Sequence, residues 1–411
     1  MSNLIILKSI IHNSLGKIFS FVSTFLFGVL LARLLSPSEF GVVAIVLAVI
    51  NFLSVLGEFG IGAALISKRN WGKEELEKVL SLTLIIGSIL LLILNILSPI
   101  FVSIFDNRIY FEIIPVLSLG LFFRVISVSF TSMIRKRLEF GSYNTILIIS
   151  DIVSSLIAVL LSYNGFGVWS LVLKYLIFEL LHFYLSYKKS ELDIYILKFN
   201  SVVTIYNSLI DFSFFQLLTN ILNSVSANID TIIVGANLNS SILGEYDRAY
   251  RLLRYPSVNI STVINPVLQT ALVKSDSCRL KRAFKLVILL SFIGGSGVFS
   301  ILEMFKSDII LGLYGEKWNS VIPIFSVLLL GLIPQIISSL MPVFFQLTRT
   351  VKNLLKWNIV CVISNIIFVI IGSRYGVTGV AYGVVFGAYV SLFVLSLGAY
   401  SVVWNYSIYE S

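Results

Sequence analysis

Charge is what this sequence is short of. Only 12% of its 411 residues are Asp, Glu, Lys or Arg, against about 25% in an ordinary soluble domain. A chain with half the usual charge cannot clothe a water-facing surface, so it must place most of its exterior in lipid. Soluble enzymes, disordered chains and disulfide scaffolds are excluded together. Cysteine and histidine are equally scarce. Cys278 and Cys361 are too few for a disulfide framework and read as packing residues. His12 and His182 cannot build a metal cluster on their own. No Gly-x-x-x-x-Gly-Lys-Ser/Thr occurs, which rules out the energy-coupling subunit of an ATP-driven pump. Neither His-Glu-x-x-His nor Gly-x-Ser-x-Gly is present, and no long external loop carries paired carboxylates. Catalysis, a cofactor and a metal are therefore not expected.

What is abundant is apolar surface: 57% of residues are hydrophobic and the mean hydropathy is +0.96. Twelve apolar stretches are long enough to cross a bilayer, near 10–34, 40–66, 79–105, 112–134, 144–162, 166–187, 208–236, 245–273, 284–306, 320–347, 353–373 and 377–404. They are long and lack period-two alternation, so they predict helices, not barrel strands. The expected fold is thus an all-α polytopic membrane protein. Lys8 and Lys17 flank a first stretch without a small-residue cleavage pattern, so that stretch is expected to stay as the first span.

Basic residues gather in alternate connections: Lys68, Arg69, Lys73 and Lys78; Arg135, Lys136 and Arg137; Lys188, Lys189 and Lys198; Lys274, Arg279, Lys281, Arg282 and Lys285; Arg349, Lys352 and Lys356. The intervening connections hold only Arg33, Arg108, Lys306, Lys317 and Arg374. The asymmetry predicts cytoplasmic N- and C-termini. It also accounts for the net charge of +9 without invoking nucleic acid.

Local signals fit this layout. Ser36-Pro37-Ser38-Glu39 reads as a capping box opening the second helix. Lys73 to Lys78 reads as a short charged helical turn at the cytoplasmic surface, and Pro256, Pro266, Pro334 and Pro342 predict bends in the eighth and tenth helices. Gly379, Gly383 and Gly387 form a small-xxx-small packing face. Two faint echoes suggest duplication: Leu35-Ser36-Pro37-Ser38-Glu39-Phe40-Gly41 against Leu238-Asn239-Ser240-Ser241-Ile242-Leu243-Gly244, and Gly167-Val168-Trp169-Ser170 against Gly379-Val380-Ala381-Tyr382. The expected organisation is two six-helix lobes, 1–200 and 201–411, joined by the polar segment 188–205.

Ionisable groups inside spans carry the functional signal, because each costs a few kcal/mol unless a partner or a cavity meets it. The basic set is Lys17, Arg124, Lys174, Arg248, Arg251 and Arg254. The last three are spaced i, i+3, i+6 and share one helix face, either as an anion-binding wall or as pairs with Asp247 and Glu245. The acidic set is Glu58, Asp151, Glu179, Asp211, Asp230 and Asp247. Structural ion pairing is one reading. Ion coupling through Asp230, Glu58 and Asp211 is the other.

Two segments bring a family into view. The first is Leu31-Ala32-Arg33-Leu34-Leu35-Ser36-Pro37-Ser38-Glu39-Phe40-Gly41 with Leu56-Gly57-Glu58-Phe59-Gly60-Ile61-Gly62-Ala63-Ala64-Leu65-Ile66. The second is Asn228-Ile229-Asp230, Gly235 and Leu243-Gly244-Glu245-Tyr246-Asp247-Arg248-Ala249-Tyr250, followed by Pro256. The chain resembles the O-antigen and polysaccharide repeat-unit flippases (Wzx type) of the multidrug/oligosaccharidyl-lipid/polysaccharide exporter superfamily. The resemblance implies two six-helix bundles around a central cationic cavity in the bacterial cytoplasmic membrane. It implies ion-coupled, alternating-access transfer of an undecaprenyl-pyrophosphate-linked oligosaccharide to the outer leaflet. Implied partners are that lipid-linked substrate, membrane lipids and polysaccharide polymerase machinery; a monomer is expected, because a single chain encloses a complete path between its halves. Arg124, Arg251 and Arg254 are the foremost expected contacts to the pyrophosphate, with Arg248, Lys17 and Lys174 beside them. Two alternatives remain open: a drug or metabolite exporter of the same superfamily, and a membrane polysaccharide polymerase.

Overall fold

The computed structural model describes residues 3–58, 61–62, 65, 73–137, 139–192, 218, 220–272 and 275–406, with side chains at 3–15, 17–18, 73–74, 77, 255–256, 258–259, 262–263, 266, 270 and 351 outside that description. Helix follows helix, and no strand occurs among the described residues. Contacts divide the chain into two compact units, Met1–Ser224 and Val225–Ser411. The expected join at 188–205 lies mostly outside the described residues.

Unit 1 contains α1 (Asn3–Leu34), α2 (Pro37–Glu58), α3 (Lys73–Phe105), α4 (Ile109–Lys136), α5 (Phe140–Tyr163) and α6 (Val168–Ser190). Half of the capping box is formed: Ser36 N–H donates to Glu39 Oε2 at 2.6 Å, while Ser36 Oγ donates to the same oxygen at 2.8 Å. Lys73 to Lys78 is helical, as expected, and runs on without a break into the rest of α3. At the centre lies α4, with Ile113, Ile114, Leu117, Leu121, Val125 and Phe130 all fully buried. Its neighbours are α2, α3 and α6, while α1 packs on α5. On α3, by contrast, Ile89, Leu92, Ile93, Ile96, Ile100 and Ile104 face outward. An exposed aliphatic stripe of that length is the inverse of a water-soluble helix and marks the lipid face.

Unit 2 contains α7 (220–237, beginning within unit 1), α8 (Ser240–Leu272), α9 (Ser277–Met304), α10 (Lys306–Tyr314), α11 (Val321–Leu329), α12 (Leu332–Leu340), α13 (Pro342–Leu347), α14 (Val351–Ser373) and α15 (Gly376–Trp404). The bends fall differently from the sequence expectation. Through Pro256 and Pro266 the helix α8 is unbroken, whereas the tenth span is split, with a 48° bend between Val321–Leu329 and Leu332–Leu347. Pro334 has no N–H to offer the carbonyl of Leu330, four residues back, and the break sits at Leu330 and Gly331. Pro342 has the same relation to Ser338.

Among the described residues eight helices are long and apolar enough to cross a membrane, or nine with the bent pair taken as one span. The multi-pass membrane architecture stands, and three of the twelve expected spans are absent from that set for identifiable reasons. The apolar part of α1 described in full is Phe19–Leu34, α7 is described only from 220, and α8 carries Glu245, Asp247, Arg248, Arg251 and Arg254.

The duplication echo shifts in one place. Asn239 Oδ1 accepts the N–H of Ile242 at 2.8 Å, capping α8 where Ser36 stands before α2. Gly167 and Gly376 both have positive φ, 52° and 76°, at the start of the last helix of their units. Structurally, then, Gly376 is the counterpart of Gly167, and Gly379 lies one turn inside α15. Of the cysteines, Cys361 is buried as expected but Cys278 is exposed.

The glycine face of α15 closes against α14. A Cβ on Gly383 would lie 2.5 Å from the carbonyl oxygen of Phe368, and one on Gly387 2.6 Å from Asn365 Oδ1. Lipid supplies no hydrophobic drive between helices, so such close backbone approach is what holds this pair. Gly383→Leu should therefore destabilise the purified protein by about 1–3 kcal/mol, as overpacked sites do. Gly297→Ala on α9, where a Cβ meets nothing within 4 Å, should leave the thermal midpoint in detergent unchanged or slightly raised. Equal midpoints for Gly383→Leu and wild type would refute the seam.

Candidate functional site

Helix α4 presents Arg124, Ser127, Val128, Thr131 and Arg135 as one stripe, because spacings of 3, 4, 7 and 11 return to the same face at 100° per residue. In unit 1 that stripe is one wall of a cavity of about 540 Å³. Helix α2 adds Glu58, α5 adds Tyr143, and α6 adds Phe178, Glu179 and His182, with Gly62, Ser132 and Asn220 completing the lining. The size lies within the range of about 300–1,000 Å³ typical of ligand sites.

The two guanidiniums are held by neutral groups. Arg124 Nη1 donates to Asn51 Oδ1 of α2 at 3.0 Å. Arg135 donates to the Tyr143 hydroxyl, and its Cζ lies 4.2 Å from the centroid of that ring. Among the described residues neither arginine has a carboxylate within 4.0 Å. Glu58 and Glu179 share the cavity wall without closing on them. His182 stacks at 15° on Phe178, ring centroids 5.9 Å apart, and its Nε2 is buried with no hydrogen-bond partner among the described residues. Eleven residues separate the arginines, about 16 Å along the helix axis. One guanidinium sits at mid-span and the other at the basic end.

That basic end carries a charged collar at the helix ends. Lys189 Nζ meets Glu139 at 2.9 Å and Arg137 meets Glu191 at 3.4 Å. The hydrogen bond from Lys189 holds the Glu139 carboxyl below the usual carboxylate range.

The other expected site residues fall elsewhere. Lys174 lies 3.8 Å from Asp151, which also accepts from Ser23 at 3.1 Å, Thr24 at 3.0 Å and Ser155 at 3.4 Å. Asp151 thereby pins α1, α5 and α6 together. In unit 2, Asp247 accepts from Arg251 at 2.8 Å and sits 3.3 Å from Arg248, so two of the three α8 arginines carry a structural counter-ion. Arg254 is exposed. Asp230 is buried on α7, taking Tyr246 Oη at 2.6 Å and the Thr231 N–H at 2.8 Å. Asp211 and the side chain of Lys17 lie outside the described residues. Arg135 was missed as a site residue because it sits in a basic connection and reads as an orientation signal. Its i+11 relation to Arg124 is the pattern that finds it.

The sequence pattern of the family described as "Polysaccharide biosynthesis protein" matches residues 30–323, well over half of the chain. The chain belongs to the polysaccharide biosynthesis protein family. The match takes in the whole α4 stripe and the α8 arginines. Among curated relatives, the succinoglycan biosynthesis transport protein ExoT of Rhizobium meliloti (strain 1021) is 25% identical over 304 residues, 74% of this chain and 61% of the relative. The lipopolysaccharide biosynthesis protein WzxC of Escherichia coli (strain K12) is 23% identical over 305 residues, 72% and 61%. The teichuronic acid biosynthesis protein TuaB of Bacillus subtilis (strain 168) is 24% identical over 292 residues, 67% and 58%. The matched region thus spans about 60% of the length of these relatives. Solved structures share the fold: lipid II flippase MurJ in an inward closed conformation, with TM-score 0.77 and 15% identity over 97% of this chain and 91% of that one. An inward-facing multidrug resistance MATE family transporter of the MOP superfamily has TM-score 0.75 and 17% identity over 95% and 96%.

The Asp247 cluster makes a stability prediction for this family member. Removing its carboxylate takes away the anion that Arg251 and Arg248 both meet, the latter with a side chain only 10% exposed. Asp247→Ala should cost a few kcal/mol, the usual penalty for breaking a buried pair, read as a lowered thermal midpoint in detergent. Arg254→Ala should leave the midpoint near wild type. The opposite order would show that Asp247 is not the pin of this helix.

Proposed function

We propose that this chain is a flippase that moves an undecaprenyl-pyrophosphate-linked oligosaccharide repeat unit from the inner to the outer leaflet of the bacterial cytoplasmic membrane, for O-antigen, capsule or exopolysaccharide synthesis. The observation that carries the reading is the pair Arg124 and Arg135, lining one cavity with no carboxylate at ion-pair distance among the described residues. A pyrophosphate is the ligand such a pair suits, since a guanidinium donates bidentately to phosphate oxygens and gains strength away from bulk water. Family membership and the polysaccharide-related names of the relatives support the same substrate class.

The spacing suits a path. Arg135, at the basic and therefore cytoplasmic end, receives the headgroup, and Arg124, about three turns deeper, draws it to mid-membrane while the prenyl tail stays in lipid. Glu58 and Glu179 in the same wall moderate the field, so the anion is drawn in but not trapped. No bond of the substrate need break, and the protein acts as a transporter, not an enzyme. In this reading residues 1–200 and 201–411 are lobes that alternate access, both termini are cytoplasmic, and the monomer suffices. Glu58 and Asp211 are the carboxylates available for ion coupling. The product is handed on to polymerase machinery.

The test is complementation of a flippase-deficient bacterium that makes the cognate repeat unit, with membrane abundance matched. Arg124→Ala and Arg135→Ala should each lower polymer output at least tenfold, equivalent to about 1.4 kcal/mol of lost interaction. Arg124→Lys should recover part of it. Arg137→Ala, in the collar, should export normally. Rescue by wild type with both arginine variants intact would refute the site. Failure of wild type to rescue, with drug export restored in its place, would favour the exporter reading.

A further inference from the structure

Unit 2 carries a second concavity that the transport path does not use. It is a groove of about 300 Å³ between α9, α12 and α15, lined by Phe284, Ile288, Ile337, Leu392, Phe393 and Tyr400 among others. Its walls are almost wholly apolar yet open, with Phe393, Leu397 and Tyr400 at 69%, 53% and 45% exposure in the whole chain. Spacing along α15 aligns Phe393, Leu397, Tyr400 and Trp404 at intervals of three and four, so the groove runs along the helix toward its C-terminal end. At that end the chemistry changes. Trp404 stacks on Tyr400, centroids 4.1 Å apart, and Lys281 and Lys285 hold their ammonium groups 5.7 and 5.9 Å from the Trp404 ring.

Two lysines at i and i+4 drawn to one ring repel each other. Among the described residues no carboxylate lies within 4.0 Å of either, so none of them compensates the repulsion. An anion between them turns repulsion into attraction. They belong to the basic connection that the charge asymmetry places on the cytoplasmic side, where the leaflet is rich in anionic lipid and basic pockets between helices take phosphate headgroups. An apolar slot descending into the bilayer from a cationic, indole-bearing rim has the polarity of one molecule: a phospholipid, headgroup at the rim and chain in the slot. We propose that this groove is a binding site for an anionic glycerophospholipid, with its phosphate at Lys281 and Lys285 and one acyl chain along Phe393, Leu397 and Tyr400. The site lies entirely within unit 2 and is independent of the transported substrate.

The experiment uses the full-length protein in detergent micelles, with thermal midpoint and bound-lipid count by native mass spectrometry as readouts. Dioleoyl phosphatidylglycerol, dioleoyl phosphatidylcholine and inorganic phosphate are added at equal concentration. Phosphatidylglycerol should raise the midpoint by several degrees more than phosphatidylcholine, and phosphate alone should not. The double variant Lys281→Gln/Lys285→Gln should lose the difference between the two lipids while keeping the response to phosphatidylcholine. Leu397→Asn, which puts an amide in the slot, should weaken retention of both lipids. Equal responses to the two lipids in wild type, a full preference kept by the double variant, or a shift reproduced by inorganic phosphate would each overturn the proposal.

Discussion

A guanidinium in the middle of a membrane-crossing helix must be met by something polar, and Arg124 imposes that demand on unit 1. It sits midway along α4, whose Ile113, Ile114, Leu117, Leu121, Val125 and Phe130 are all fully buried. Hydrocarbon around it would cost several kcal/mol. The fold answers with Asn51 on α2, hydroxyls one and two turns along α4, and a polar cavity instead of packed side chains. The room for a ligand is thus a consequence of solvating this one charge. The contrast with α8 is instructive. There the charges are solvated by the chain itself, through Asp247, and the result is a rigid cluster.

The same physics decides how the helices are held. Lipid tails are as apolar as leucine, so burying apolar faces gains little, and association falls to close packing and polar pins. Unit 1 uses Asp151 to gather hydroxyls from α1 and α5 and the ammonium of Lys174. In unit 2, Asp230 and Tyr246 join α7 to α8, and α14 meets α15 along glycines. Charged residues that look functional in a hydropathy plot therefore divide into pins, which are saturated by partners, and lining residues, which are not.

That division sets how much of the site was legible beforehand. Arg124 and Glu58 stood out as ionisable residues in apolar stretches, and both line the cavity. Arg248, Arg251 and Lys174 stood out for the same reason, yet each has an acidic partner. Arg135 was hidden because a basic residue near a helix end has a sufficient explanation in membrane orientation. Its place on the Arg124 face is periodic and visible only once α4 is known to continue to Lys136. His182 and Tyr143 had no signal, because one aromatic residue at a helix position is ordinary until its neighbours are known.

The sequence by itself determined the membrane setting, the helical class, the family and the helix start at Ser36, because these depend on composition, period and nearest neighbours. It also carried the glycine face of α15, since close approach leaves a local pattern. Tertiary structure alone decided which carboxylate finds which cation, where the tenth span breaks, and which faces of α2, α4, α5 and α6 enclose space instead of packing. Those outcomes depend on pairings between residues far apart in the chain, Asp151 with Ser23 and Asn51 with Arg124 among them. No local pattern encodes the distance between two side chains on different helices.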